Sequence, residues 1–242
     1  MGKRGVGIFS ITDHDTLAAY DVLESAPIRP AFVGIEVNTT YRENEVHVLG
    51  YRLDRKNAAL QAALENNRAA RRLRVAKIVR QIQAAGYEVT MEQVEAESRG
   101  GVLGRPHVGR ALIRHGHVSD IESAFRNVLF RGGPGYVPST HMGPHEAIAV
   151  IRAAGGIAVL AHPGRLRDHS IVGELVEEGL AGLEVFYPRH DASATHYFRA
   201  MAKRLNLLMT GGSDFHDARY HRRGVGMEVD AADIQPFLDA VA

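Results

Sequence analysis

The side chains best suited to chemistry stand in short clusters at the ends of apolar runs. Gly211-Gly212-Ser213-Asp214-Phe215-His216 follows Leu207-Leu208-Met209-Thr210, so a carboxylate and an imidazole two residues apart sit just past a strand-like segment. The glycines permit a tight turn, and alternation beyond the strand aims Asp214 and His216 at one point with Phe215 turned away. Ile157-Ala158-Val159-Leu160-Ala161 ends the same way in His162-Pro163-Gly164, and Val6-Gly7-Ile8-Phe9-Ser10-Ile11 runs into Thr12-Asp13-His14-Asp15. A shared strand end is where α/β folds place their reactive groups. Asp15 reads as a cap for the helical pattern that follows it, whereas His14 has no capping role.

Two further residues join this set. Glu36 stands inside the apolar run Phe32 to Val37, where a lone acid is costly unless paired or metal-bound. Period-two alternation from Glu45 to Tyr51 turns His47 away from Val46 and Val48, and an exposed edge histidine explains it equally well. His14, Glu36, His47, His162, Asp214 and His216 are nitrogen and oxygen donors without sulfur, a mixture that suits zinc, manganese or iron. Such sets serve hydrolysis, since a carboxylate like Glu36 can bridge two ions that activate a water and stabilise the departing oxygen of a phosphoester. No Gly-x-Ser-x-Gly elbow, Walker loop, dinucleotide fingerprint after a strand or His-Glu-x-x-His motif competes with this reading.

The elements that must position these residues form an α/β pattern with an interruption. Strand signals around Phe32 to Val37 and Glu45 to Tyr51 give way at residue 57 to helical patterns that continue to residue 141. The sequence therefore predicts an α/β domain over 1–56 and 142–242 with a helical insertion at 57–141. The first helix of the insertion carries Arg68, Arg71, Arg72, Arg74, Lys77 and Arg80, which reads as a solvated face before it reads as a nucleic-acid track. Gly104-Arg105-Pro106-His107 opens a later helix, and arginine, helix N-terminus and histidine together suit a phosphate. A capping loop with an incidental arginine explains those residues as well. After the insertion, helices at 145–154, 172–178 and 192–205 alternate with strands at 157–161, 182–186 and 207–210, and Gly224 to Val229 reads as one more strand. This order predicts a parallel, barrel-like α/β fold.

Bulk composition narrows the function classes. With 242 residues and 45% hydrophobic content the chain buries a substantial core. Its 29 basic and 28 acidic residues leave a net charge of +1, so no global field draws it to nucleic acid or an acidic membrane. The absence of cysteine excludes disulfides, thiolate zinc sites and cysteine nucleophiles, and points to the cytoplasm. No apolar stretch reaches membrane-spanning length.

Six short motifs in order, Thr12-Asp13-His14-Asp15, Gly34-Ile35-Glu36, Val46-His47-Val48-Leu49-Gly50, Gly104-Arg105-Pro106-His107, Ala161-His162-Pro163 and Gly212-Ser213-Asp214-Phe215-His216, resemble the polymerase and histidinol phosphatase (PHP) family. The insertion resembles that of the branch with nucleoside 3',5'-bisphosphate phosphatases and 5'-to-3' exoribonucleases. The resemblance implies a distorted (βα)7 barrel holding three divalent ions, Mn2+ first and Zn2+, Fe2+ or Mg2+ as alternatives. By position, Glu36, His47 and His162 would surround one ion. Glu36 would bridge to a second ion, which Asp214 also holds, and His14 and His216 would serve the third. Glu36, His162 and Asp214 would carry the catalysis, and Arg105 and His107 would meet substrate phosphate. The pattern departs from the family at the start, where no His-x-His precedes Ile8 and Lys3-Arg4-Gly5 looks like a helix end. A first βα unit is therefore expected to be missing, leaving only the ion at Glu36, His47 and His162 with its full set. The resulting expectation is a metal-dependent phosphoesterase acting on small nucleotide bisphosphates or short RNA ends, with no obligate protein partner. The competing expectations are a non-catalytic PHP module that binds nucleic acid or a partner, and an exonuclease on longer RNA that uses the basic helix as a track.

Overall fold

A computed structural model describes residues 5–24, 31–42, 44–216 and 224–242. Apart from Gly5, the helix end read at Lys3-Arg4-Gly5 lies outside these residues. The chain divides into two compact units, one of Met1–Ala63 with Met142–Ala242 and one of Leu64–His141, and the division falls inside a single long helix.

The first unit is built on a mixed sheet of five strands in sequential order: β1 (Gly34–Tyr41), β2 (Asn44–Tyr51), β3 (Ile157–Leu160), β4 (Gly182–Phe186) and β5 (Leu208–Gly211). β1 pairs antiparallel with β2, β2 antiparallel with β3, and β3, β4 and β5 run parallel. The all-parallel expectation fails at β1 and β2 because they are joined by a hairpin, whereas a parallel pair needs a crossover of a dozen residues or so. The parallel half keeps the expected rhythm. All five residues of β4 are buried, as a strand covered on both faces requires.

Nine α-helices occur among the described residues. α1 is Ala19–Leu23, α2 is Ala58–Ala84, α3 is Met91–Ser98, α4 is Arg105–Arg114 and α5 is Ile121–Asn127. α6 is Pro144–Ala153, α7 is Ile171–Glu177, α8 is Ala192–Arg204 and α9 is Ala231–Val241. α6 starts with a proline and buries Ala147, Ile148 and Ile151 toward β1, β2 and β3. α8 is capped by the Asp191 carboxylate, carries Lys203 and Arg204 in its last turn and buries Phe198, Met201 and Ala202 against β4 and β5. α9 adds Phe237 and Val241 to a core with Leu49, Tyr51, Val159 and Ala161.

Two predicted strands are absent among the described residues. Residues 6–11 make no ladder; the only bridge of this segment joins His14 to Glu36. Residues 224–229 form no strand either.

In the second unit, α2 contributes Val75, Ile78, Val79 and Ile82 to a core with Val94, Val108, Leu112 and Leu129. Part of its basic set is structural rather than solvated. Arg74, 9% exposed, donates from Nε to the Val137 carbonyl at 2.9 Å, and Arg71 donates to the Leu103 carbonyl at 2.7 Å. Among the described residues, no helix is long and apolar enough to cross a membrane.

Candidate metal centre

The centre is assembled on one face of the β1–β2 hairpin. Glu36 and Asn38 are two apart on β1, and His47 is the cross-strand partner of Asn38, so all three share a face. A bond from the Ala161 amide to the His47 carbonyl at 3.0 Å extends the β2–β3 ladder and delivers the next residue, His162, beside His47. His14 arrives from the other side. The Glu36 amide donates to the Asp13 carbonyl at 3.1 Å and the Asp15 amide to the Glu36 carbonyl at 2.9 Å, which brackets His14 against Glu36.

Three ligand-type atoms meet at one place. His47 Nδ1 is 2.6 Å and His162 Nε2 is 3.1 Å from Glu36 Oε1, and the two ring nitrogens are 3.2 Å apart. Tetrahedral ligands at zinc-type bond lengths lie about 3.3 Å from one another; the 3.1 and 3.2 Å edges approach that spacing, while the 2.6 Å edge is that of a hydrogen bond and would open by a few tenths of an ångström around a cation. His14 Nδ1 is 3.7 Å from Glu36 Oε2, and His14, Glu36 and His47 each offer an atom within 4.8 Å of the others. The donor set and its spacing fit a divalent ion. Burial alone would raise the Glu36 pKa, but His14, His47 and the hydrogen bond from His162 together hold it well below the ordinary range.

A second group adjoins the first through His14. His216 Nε2 is 3.3 Å from His14 Nε2, and His216 Nδ1 is 3.3 Å from Asp214 Oδ1. The Tyr187 hydroxyl donates to Asp214 Oδ2 at 3.0 Å, and Arg165 Nη1 is 3.8 Å from the same oxygen. Burial and the neighbouring Asp214 push the Tyr187 hydroxyl up to about 12, which keeps it a donor at neutral pH. His14, Glu36, His162, Asp214 and His216 line a cavity of 1100 Å³ together with Asp13, Glu184 and Thr210. Burial raises the Asp13 carboxyl above the ordinary range, against the pull of His216. Thus the sheet unit brings together all six residues singled out as ligands.

Arg105 and His107 belong to the helical unit. His107 Nδ1 accepts the Gly104 amide at 3.0 Å, returning to the first turn of α4 as a cap, and the Arg105 guanidinium lies 5.4 Å from the Phe125 ring centre. Burial, then the Arg110 charge, lowers the His107 pKa to about 4, so its ring is neutral at physiological pH. His190 has a structural role: Nδ1 donates to the Val185 carbonyl at 2.8 Å and Nε2 accepts the Gly164 amide at 3.1 Å.

Several residues at the centre escape the sequence reading. Asp15 does not cap α1, whose first flanking residue is Ala18 with no side-chain cap. Its fully buried carboxylate instead accepts the Asn38 amide at 3.0 Å and the Asn38 side chain at 2.8 Å, while Asn38 Nδ2 also lies 3.0 Å from His14 Nδ1. Glu184, 4% exposed in the middle of β4, carries the same signal as Glu36, an acid inside an apolar run. Burial first, then the charges of Glu36 and Asp214, push its pKa well above the ordinary value.

Comparison with known proteins places this geometry. No protein-family model matches the chain. It is 30% identical to a 3',5'-nucleoside bisphosphate phosphatase of Chromobacterium violaceum, over 96% of this chain and 84% of that protein. It is also 30% identical to the 5'-3' exoribonuclease Rnm of Escherichia coli K12, over 87% of this chain and 75% of that protein. Among solved structures, a metal-dependent phosphoesterase of Bifidobacterium adolescentis superposes with a TM-score of 0.87 at 28% identity, covering 99% of this chain and 87% of that one. With its ligand-type residues gathered around one sheet and relatives of this kind along nearly its whole length, the chain belongs to the PHP family of metal-dependent phosphoesterases and is a hydrolase.

Proposed function

We infer that the protein hydrolyses phosphate esters of small nucleotides, 3',5'-bisphosphates first, or of short RNA ends. The observation that carries this reading is the convergence of His47 and His162 on Glu36 Oε1 at 2.6 and 3.1 Å, with His14 at the other carboxylate oxygen. The names of the two relatives support the substrate class. They also disfavour a non-catalytic binding module. In this reading His14, Glu36, His47, His162, Asp214 and His216 hold divalent cations, Mn2+ foremost, and Glu36, His162 and Asp214 stand nearest the chemistry. A bound divalent cation supplies Lewis-acid polarisation of a phosphoryl oxygen and an acidified water.

The remaining contributions come from the chain itself. Glu36, held ionised, sets its carboxylate beside the His47 and His162 ring nitrogens and so presents negative charge to the cations those nitrogens would ligate. Tyr187 orients Asp214, and Arg165, half-exposed, offers a cation to substrate phosphate beside that carboxylate. Arg105 and His107 are proposed to bind phosphate as well, with His107 donating as a neutral ring. The (βα)7 barrel belongs to the same proposal, supported by the parallel β3–β5 ladder with α8 and α9 packed on it.

The test is phosphate release from 3'-phosphoadenosine 5'-phosphate, and nucleotide release from a 5'-phosphorylated oligoribonucleotide, with Mn2+ added to metal-stripped protein. Cation-dependent turnover of either substrate that disappears in Glu36→Gln is the expected result. No turnover of both substrates with Mn2+, Zn2+, Fe2+ or Mg2+ overturns the reading.

A further inference from the structure

The structure assigns to Glu184 the role of a positioning residue, one carboxyl group that sets both ligand-bearing loops of the metal centre; this rests on the metal-binding reading above. A carboxyl in the middle of a fully buried strand is costly where an apolar side chain would pack, so its contacts must account for it. Glu184 Oε2 accepts the His162 amide at 2.8 Å. His162 needs that anchor, because its backbone sits at φ 28° and ψ 59°, a left-handed conformation disfavoured for a residue with a Cβ. From this backbone its ring reaches Glu36 Oε1 at 3.1 Å and His47 Nδ1 at 3.2 Å.

The other oxygen of the same carboxyl meets the second loop. A Cβ placed on Gly212 would lie 2.4 Å from Glu184 Oε1, so the Gly212 backbone is in close contact with the acid. Gly212 is also fixed to β4 through its amide, which donates to the Phe186 carbonyl at 3.0 Å, and it precedes Asp214 by two residues. A Cβ here would displace the tip of the Glu184 carboxyl, whose other oxygen holds the His162 amide. The Gly212 φ is outside the positive region, so the backbone itself accepts alanine. One side chain thus sets the distance between the loop that carries His162 and the loop that carries Asp214 and His216.

A steric cycle with a metal readout tests this assignment. Metal-stripped wild type, Glu184→Gln, Glu184→Ala, Gly212→Ala and the Glu184→Ala/Gly212→Ala double variant are titrated with Mn2+ by calorimetry, and far-UV circular dichroism checks the fold of each. Glu184→Gln keeps an oxygen that accepts the His162 amide and is expected to bind within a few-fold of wild type. Glu184→Ala and Gly212→Ala are each expected to weaken binding about 10–100-fold, the range for residues that orient metal ligands. The double variant is expected to be no weaker than Glu184→Ala, since the atom that Cβ collides with is gone. Wild-type affinity in Glu184→Ala or in Gly212→Ala, a loss in Glu184→Gln as large as that in Glu184→Ala, or losses that multiply in the double variant, overturns the assignment. If Glu184→Ala does not fold, Glu184→Gln and Gly212→Ala still decide it. Failure of the wild type itself to bind Mn2+ overturns the metal reading instead, and is visible in the first titration.

Discussion

Replacing Asp15 by alanine tests how the His14 arm is held, far more sharply than its position suggests. The carboxylate is fully buried and accepts two hydrogen bonds, from the Asn38 amide at 3.0 Å and from Asn38 Nδ2 at 2.8 Å. Hydrogen bonds to a charged group each contribute about 1.5–3 kcal/mol, so the two together contribute about 3–6 kcal/mol. Asn38 is itself buried, and water has little access to replace the lost acceptor. Asp15 also sits at φ 53°, which aspartate and asparagine tolerate better than alanine does. Asp15→Ala should therefore cost about 3–6 kcal/mol, and Asp15→Asn, which keeps one neutral acceptor and the backbone preference, roughly half as much. Urea unfolding followed by circular dichroism measures both through the midpoint and slope. Because Asn38 Nδ2 also contacts His14 Nδ1 at 3.0 Å, Asp15→Ala should in addition weaken Mn2+ binding roughly tenfold. A cost within about 0.5 kcal/mol, the range of an ordinary surface substitution, refutes the reasoning.

Other expectations follow from the same geometry. Tyr20→Phe removes a hydroxyl that donates to the Ile11 carbonyl at 2.7 Å and accepts the Gly34 amide at 2.7 Å, so it should cost about 2–4 kcal/mol in the same urea assay. Arg165→Ala, which removes a half-exposed guanidinium beside Asp214, should raise KM about 5–30-fold with a smaller change in kcat, as steady-state kinetics will show. For His107 the folded pKa is depressed, to about 4, so below the unfolded value of about 6.5 the unfolded chain takes up the proton first. Its contribution to stability is then present above about pH 6.5 and lost as pH falls toward 4. The shift corresponds to up to about 3 kcal/mol, reduced to ~1–2 kcal/mol because the ring is partly exposed. His107→Gln, which can still accept the Gly104 amide, should flatten the stability profile between those pH values.

What the sequence shows and what it hides separate along a physical line. His162, Asp214 and His216 are legible because each follows an apolar run, and strand ends are local features readable from a few neighbouring residues. The same holds for β4 and α8, whose apolar content and caps lie within their own segments. The antiparallel start of the sheet is implied by the short link between β1 and β2, but strand-like composition says nothing of direction, and the helix–strand alternation after residue 142 points to parallel pairing. Asp15 is the instructive miss. A carboxylate shortly before a helix looks like a cap by every local rule, yet its partner is Asn38, 23 residues on in a strand. Arg71 and Arg74 mislead in the same way, since the carbonyls they satisfy lie 32 and 63 residues further along. Glu184 differs from these, because the signal that exposed Glu36, an acid inside an apolar strand, is present in Leu183-Glu184-Val185 without any long-range knowledge. A buried carboxyl must be satisfied by something, and strand adjacency limits the candidates to neighbours on β3 and β5, whose ends carry His162 and Gly212. Candidate ligands announce themselves through side-chain chemistry, while the groups that aim them are found only by asking where each buried polar atom finds its partner.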